Sequence, residues 1–170
     1  RILCIESNRR TAETRRLAVS HCKLGHAAQA GHLLESVFAA IDSGLDEYET
    51  FRTLTAASQV LEEVGESHLA ARALGRAEPF QDNYIDTIGI VRAALTTRLG
   101  SSVTDALMAE GAASDPDQLV SEVRAALDGD MLRLHAALRS LAPEHRLTFI
   151  LFELEGEPCT SIAAATGVPV

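Results

Sequence analysis

Three glycines divide the first hundred residues of the chain into amphipathic stretches of similar length. Gly25, Gly65 and Gly100 each follow an aliphatic residue, and they are separated by 40 and 35 residues. Because glycine adopts a left-handed backbone at little steric cost, a glycine directly after an apolar helical stretch is typical of a helix C-terminus. A glycine between two amphipathic helices, repeated every 35–40 residues, indicates helix pairs that stack on one another.

Apolar residues recur at helical spacing in the stretches between these glycines. Two stripes have members three, four or seven positions apart, as one face of a helix requires. They are Ala30, Leu34, Val37 and Ile41, and then Ala70, Ala73, Leu74 and Ala77. Further along, Asp115 and Pro116 predict a helix start, since aspartate caps a first turn and proline fits the first helical position. We therefore expect an all-α fold of stacked, repeat-like helix pairs, followed by a small partial helix-turn-helix domain.

The composition excludes several classes of protein. An apolar fraction of 46% with 23% charged residues is typical of a folded chain rather than a disordered one. The longest stretch without a charged residue is 158–170, which is too short to span a membrane, so we expect no membrane partner. Three widely spaced cysteines without a Cys-x-x-Cys pair predict no disulfide framework, and they favour a cytoplasmic protein.

Cys22 and His26 form the one spacing in the sequence that suggests a metal ligand pair. They lie four residues apart and could share one helix face. Two ligands fall short of the three or four that zinc sites use, so a thiol in the core beside a surface imidazole is the favoured interpretation. We expect no metal and no cofactor.

Charge is distributed unevenly along the chain. Residues 1–23 carry 6 basic and 2 acidic side chains, residues 35–130 carry 6 and 18, and residues 131–170 carry 3 and 4. A net charge of −9 argues against nucleic-acid binding over the whole surface. Because the acidity belongs to the middle segment, DNA binding stays open for the nearly neutral C-terminal segment.

The sequence pattern changes at Asp128-Gly129-Asp130, where we predict a boundary between a helical segment, 1–128, and a second domain, 131–170. Pro143 is expected to open a helix of this second domain. The apolar stripe of that helix is Leu147, Ile150, Leu151 and Leu154. Ala163 and Gly167 then predict the first half of a helix-turn-helix, because they allow a close helix crossing followed by a tight turn.

The segment Leu24-Gly25-His26-Ala27-Ala28-Gln29-Ala30 resembles the turn of a tetratricopeptide-type repeat, and the resemblance covers roughly residues 10–98. Residues 92–127 are similar to the closing helices of the repeat region in large ATP-binding LuxR-type regulators. This resemblance implies a segment that binds an unidentified protein partner. An irregular helical bundle is the alternative that the same pattern allows.

Residues 131–170 resemble the fourth conserved region of extracytoplasmic-function sigma factors, in order and without gaps. The matching stretches are Leu138-Arg139-Ser140-Leu141-Ala142-Pro143-Glu144-His145-Arg146, Phe149-Ile150-Leu151-Phe152-Glu153-Leu154-Glu155-Gly156, Ser161-Ile162-Ala163 and Thr166-Gly167-Val168-Pro169-Val170. The resemblance implies a domain whose first helices dock on the RNA polymerase core. Its recognition helix would bind the −35 element of promoter DNA and would follow Val170, so residues 1–170 alone should bind DNA weakly or not at all.

Three residues of this segment are candidate DNA-backbone contacts, namely Arg146, Thr160 and Ser161. Each of the first two has a structural alternative. Arg146 could pair with Glu153 on the solvent face, and Thr160 could act as a helix N-cap. Ser161 stands where the family commonly has a glutamate.

The function expected from the sequence is that of a bacterial transcription regulator, of which these residues are an excerpt. A helical-repeat segment would precede a sigma-type DNA-binding domain. The alternative is a purely helical interaction scaffold without DNA binding, whose acidic middle would favour basic partners. The sequence contains no nucleophile elbow, phosphate-binding glycine loop or His-Glu-x-x-His motif, so we expect no enzyme.

Overall fold

The computed structural model describes residues 2–42, 47–80, 87–129 and 140–149, together with 132, 137, 138 and 161. Every regular element of these residues is helical, which confirms the predicted all-α class. The helices are α1 (Ile2–Lys23), α2 (Ala27–Asp42), α3 (Glu47–Val64), α4 (Ser67–Ala77) with a 3₁₀ turn at Glu78–Phe80, α5 (Thr87–Leu99), α6 (Ser101–Ala113), α7 (Pro116–Ala126) and α8 (Pro143–Phe149). The chain divides into two compact units, Arg1–Arg133 and Leu134–Val170, of which α8 belongs to the second.

The glycines that follow α1 and α3 end these helices in the way the sequence predicts. Gly25 and Gly65 have φ angles of +83° and +97°. After α1, the His26 amide donates to the His21 carbonyl and the Gly25 amide donates to the Cys22 carbonyl, both at 2.9 Å. The amides of Gly65 and Glu66 repeat this pattern after α3. Both ends are therefore Schellman caps, which satisfy carbonyl groups that the last turn leaves unpaired.

Gly100 has a different backbone conformation from the two other glycines. Its φ of +86° is positive as predicted, but its ψ of 152° is extended rather than left-handed helical. Its amide still bonds to Thr96 at 2.9 Å, and its carbonyl accepts from the Thr104 amide at 3.1 Å. Gly100 is therefore the single residue between α5 and α6. Glycine suits this position because other residues rarely adopt such a backbone conformation.

Helix α4 lies at the centre of the first unit. It packs against α3, α5, α6 and α7, and four of its residues are completely buried. These are Ala70, Ala71, Ala73 and Leu74. Three of the four, Ala70, Ala73 and Leu74, belong to the predicted apolar stripe, and its last member, Ala77, is 2% exposed, so the predicted stripe is buried.

The crossing of α4 and α6 depends on two glycines. A Cβ atom at Gly75 would lie closer than 3.0 Å to main-chain atoms of Met108, and a Cβ at Gly111 would meet the main chain of Arg72 in the same way. The two helices therefore touch backbone to backbone at both points. This closeness allows α4 and α6 to bury side chains such as Leu74 and Met108 between them.

Two further sequence predictions for the first unit concern helices α2 and α7. Ala30, Leu34 and Val37 are buried, as their stripe on α2 predicts. The Asp115 side chain accepts a hydrogen bond from the Gln118 amide at 2.9 Å, and Pro116 is the first residue of α7. The capped start of this helix is therefore confirmed.

The first unit continues a few residues beyond the predicted break at Asp128-Gly129-Asp130. Leu132 is 1% exposed, and its side chain lies against Gly31 of α2. In the second unit α8 begins at Pro143, as predicted. The predicted stripe members Ile150, Leu151 and Leu154 lie outside the described residues, as do Ala163 and Gly167.

Candidate functional site

Arg146, one of the three candidate phosphate contacts, bonds to the main chain that precedes its own helix. Its Nε donates to the Leu138 carbonyl at 2.8 Å, and Nη2 donates to the Leu141 carbonyl at 3.2 Å. These carbonyls lie near the start of α8, so the guanidinium holds α8 against the residues before it.

The other two candidates are described less fully. Ser161 is helical and exposed, as a phosphate contact must be. Thr160 lies outside the described residues, as does Glu153, the alternative partner of Arg146. Of the three candidates, the described geometry therefore gives a hydrogen-bonding environment to Arg146 alone.

Two leucines of the second unit are accessible to solvent. Leu141, just before α8, is 38% exposed, and Leu147 within α8 is 44% exposed. Leu147 begins the apolar stripe that the sequence assigns to this helix. Exposed apolar side chains indicate a surface that a partner covers where they form a contiguous patch.

The cysteine and histidine pair considered as metal ligands is not brought together. The Cys22 thiol is buried and lies 3.8 Å from the Val60 carbonyl, whereas His26 is exposed. His26 instead faces His21, with their Nδ1 atoms 3.4 Å apart. Among the described residues no three potential ligands meet, so the described part of the chain contains no candidate metal centre.

A buried ion pair joins α1 to α3. Arg15 Nη1 lies 2.5 Å from Glu49 Oε2, and both side chains are less than a tenth exposed. The Thr11 hydroxyl donates to the same carboxylate oxygen at 2.9 Å, and the Thr53 hydroxyl donates to the Glu49 carbonyl at 2.7 Å. Burial lowers the pKa of Arg15, and the bond to Glu49 opposes that effect. The cluster is enclosed between helices, so it fixes their pairing rather than presenting a site.

Three further arginines each join two carboxylates from other helices or turns. Arg72 on α4 reaches Glu110 of α6 at 3.0 Å and Glu122 of α7 at 2.7 Å. Arg92 on α5 binds Glu78 and Asp105, and Arg124 on α7 binds Glu35 and Asp42 of α2. Hydrogen bonds to Glu35, and then to Asp42, raise the pKa of Arg124.

These contacts show what the arginines of the acidic middle segment, 35–130, bind. All six basic residues of 35–130 are arginines, and each one bonds to the protein itself. Arg52 and Arg98 pair with glutamates, and Arg76 donates to the Ala112 carbonyl at 3.1 Å. Eight of the 18 acidic residues in the segment lie in ion pairs with five of these arginines. The cations of 35–130 are thus engaged within the fold.

The solvent-facing side of α1 has a different character. Leu17 and Leu24 are 49% and 71% exposed, and Arg10, Arg16 and Lys23 on the same side are exposed as well. We refer to these five residues as the outer face of α1. Sequence reasoning noted the basic character of 1–23 but did not identify this face, because α1 carries apolar residues on both sides.

Comparison of the chain with protein-family models, with curated proteins and with solved structures gives no match. None of the described helices is long and apolar enough to cross a membrane. The functional argument therefore depends on the residues themselves.

Proposed function

We propose that this chain belongs to a bacterial transcription regulator, in which the first unit binds a protein partner and the second unit supplies a sigma-type DNA-binding domain. The observation that carries the proposal is the position of the second compact unit. It begins at Leu134, within a few residues of where the sigma-like sequence begins, and it extends over the rest of that sequence. The proposal places the protein in the cytoplasm. It assigns no residue to catalysis and requires no cofactor.

Arg146 supports the proposal by holding α8 in place. In a sigma-type domain the first helices dock on the polymerase core and position the helices that follow. The contacts of Arg146 with the Leu138 and Leu141 carbonyls fix the start of α8. The half-exposed Leu141 and Leu147 offer the apolar contact area that docking on a protein requires.

DNA contact in this proposal combines two parts. Arg146 and the helix-start residues Thr160 and Ser161 would bind backbone phosphates, which orient the domain without reading sequence. Bases would be read in the major groove by the recognition helix of a sigma-type domain.

The proposal is tested with the native gene product and purified RNA polymerase core. We expect the native protein to bind the core in a pull-down and to enrich a specific motif from a random duplex pool. Leu147→Ser should weaken binding to the core at least tenfold, and Ile90→Ser, an exposed apolar change on α5, is the matched control. A native protein that binds neither the core nor any DNA would contradict the proposal.

A purely helical scaffold is the second candidate function. The observation that favours it is the exposed apolar and basic outer face of α1, which belongs to the first unit and needs no DNA. A native protein that captures a protein partner through the first unit, while enriching no DNA motif, would support the scaffold.

A further inference from the structure

The outer face of α1 has the spacing of a surface on which another helix can lie. Leu17 and Leu24 are separated by seven residues, which corresponds to about 10.5 Å along a helix axis. Arg16 and Lys23 are also seven residues apart, and each directly precedes one of the leucines. An apolar row with a parallel charged row is the arrangement that helices use to pair at heptad spacing.

Two cations of this face, Arg16 and Lys23, are not paired with any side chain that the structure describes. In this they differ from five of the six arginines of 35–130, which form ion pairs among the described side chains. Among the described side chains the acidic one on the same side is Glu13, which pairs with Arg9 at 3.1 Å, and the sequence places Glu6 on this side as well. An anionic partner would therefore find positive charge at Arg16 and Lys23.

The opposite side of α1 holds the helix in the fold independently of its outer face. Thr11, Arg15, Ala18 and Cys22 recur at helical spacing and are all buried. They pack towards α2 and α3. Substitutions on the outer face therefore leave the core contacts of α1 intact.

We propose that the outer face of α1 binds an acidic amphipathic helix of a partner protein. Leucines of that helix would cover Leu17 and Leu24, and its glutamates or aspartates would pair with Arg10, Arg16 and Lys23. This inference rests on the partner-binding role proposed for the first unit, and it names the surface and the charge of the partner. It differs from the basic partner that the acidic middle segment favours, and it concerns a different surface, the outer face of α1.

Other anionic occupants fit only part of the face. DNA phosphates would contact the cations but leave two leucines in water, whereas an acidic helix covers both. A lipid surface requires a larger apolar area than two leucines, and Glu13 and Ser20 lie on the same side. A second copy of the chain would need an accessible acidic helix of its own. These three occupants become outcomes of the test.

The probe is a fluorescein-labelled, helix-stapled peptide of about three heptads, with leucines along one face and glutamates beside them. A second peptide replaces each glutamate with lysine. Fluorescence anisotropy with the 170-residue protein measures affinity at low and high NaCl, and backbone amide shifts in an NMR titration locate the site. A short DNA duplex and vesicles of phosphatidylcholine with phosphatidylserine are titrated in parallel, and sedimentation gives the oligomeric state.

We expect the acidic peptide to bind with a dissociation constant of about 100 µM or tighter, and more weakly as salt screens the charges. Leu17→Ser with Leu24→Ser, and Arg16→Ala with Lys23→Ala, should each weaken binding at least tenfold. The matched controls are Ile90→Ser with Val103→Ser for apolar loss, and Ser101→Glu with Ser102→Glu for the same change in net charge. These control residues are exposed on α5 and α6, and their substitution should leave affinity unchanged.

Several results would overturn the proposal. They are no binding of the acidic peptide at about 1 mM, equal binding of the lysine peptide, or amide shifts away from α1. Tighter binding of DNA or vesicles through the same residues, or a dimer that the leucine variants dissociate, would assign the face to that occupant instead. DNA selection with the native gene product reports separately on the proposed function, so either proposal can fail while the other stands.

Discussion

Helices α1 and α4 of the first unit differ in how much of their surface the fold uses. Helix α4 is enclosed by four other helices, and one of its two arginines, Arg72, binds carboxylates of α6 and α7. Helix α1 is buried along one side and leaves leucines and cations in solvent on the other. Residue type alone therefore does not show whether a side chain stabilises the fold or is available to a partner. Arg72 on α4 connects neighbouring helices, whereas Arg16 on the outer face of α1 forms no ion pair with a described side chain.

The largest effect is expected at the buried pair on the inner side of α1. Arg15→Ala leaves the Glu49 carboxylate without its partner among helices that exclude water, and should cost about 3–5 kcal/mol of unfolding free energy. The double variant Arg15→Met with Glu49→Leu removes both charges and should be near neutral. Urea denaturation followed by circular dichroism measures both. A double variant as unstable as the single one would show that the pair contributes net stability.

A smaller loss is expected where α4 crosses α6. Gly111→Ala would normally stabilise a helix by roughly 0.5–1 kcal/mol, but its Cβ collides with the Arg72 main chain. Overpacking against a backbone that cannot yield should reverse the sign, giving a net loss of about 1–3 kcal/mol.

Gly100→Ala is the control for that crossing, because it separates crowding from backbone strain. No atom lies within 4 Å of a Cβ at Gly100, and the cost there comes from its φ of +86° alone. The same denaturation experiment applies to both. A stabilised Gly111→Ala protein would show that α4 and α6 do not touch backbone to backbone.

Substitution of Arg124, which connects α7 to α2, should cost less unfolding free energy because this arginine is partly exposed to solvent. Arg124 binds Glu35 through two hydrogen bonds and Asp42 through a third. Arg124→Lys keeps the charge but loses this geometry, so we expect a loss of about 1 kcal/mol that shrinks at high salt. Arg92→Lys, at a more exposed pair, should lose less. Equal losses that do not depend on salt would argue that packing of the arginine stem dominates.

The sequence predicted those features of the fold that depend on neighbouring residues. Gly25 and Gly65 end their helices through bonds within a single turn, and Asp115 caps α7 through the Gln118 amide three residues on. Gly75 and Gly111 were not identified, because the need for glycine there arises from the crossing of two helices. The Arg15–Glu49 pair joins residues 34 positions apart, and nothing local to either residue indicates it.

The sequence likewise predicted only part of the candidate site. The sequence motif identified Arg146 but offered only a phosphate or Glu153 as its partner. The structure adds the carbonyls of Leu138 and Leu141, because a side chain can reach back to main-chain groups that carry no sequence signal. The charge count for 35–130 likewise does not show which of its carboxylates pair with arginines, because the partners lie on different helices.

The smallest effect on stability is expected on the outer face of α1. The combined substitution Arg16→Ala, Leu17→Ser, Lys23→Ala and Leu24→Ser touches no buried residue, and should change the unfolding free energy by about 0.5 kcal/mol or less per site. Its loss of acidic-peptide binding should nevertheless be complete. Denaturation midpoint and peptide affinity, measured on the same protein preparation, test both statements together. A large loss of stability would mean that this side of α1 is part of the core, and that α1 resembles α4 after all.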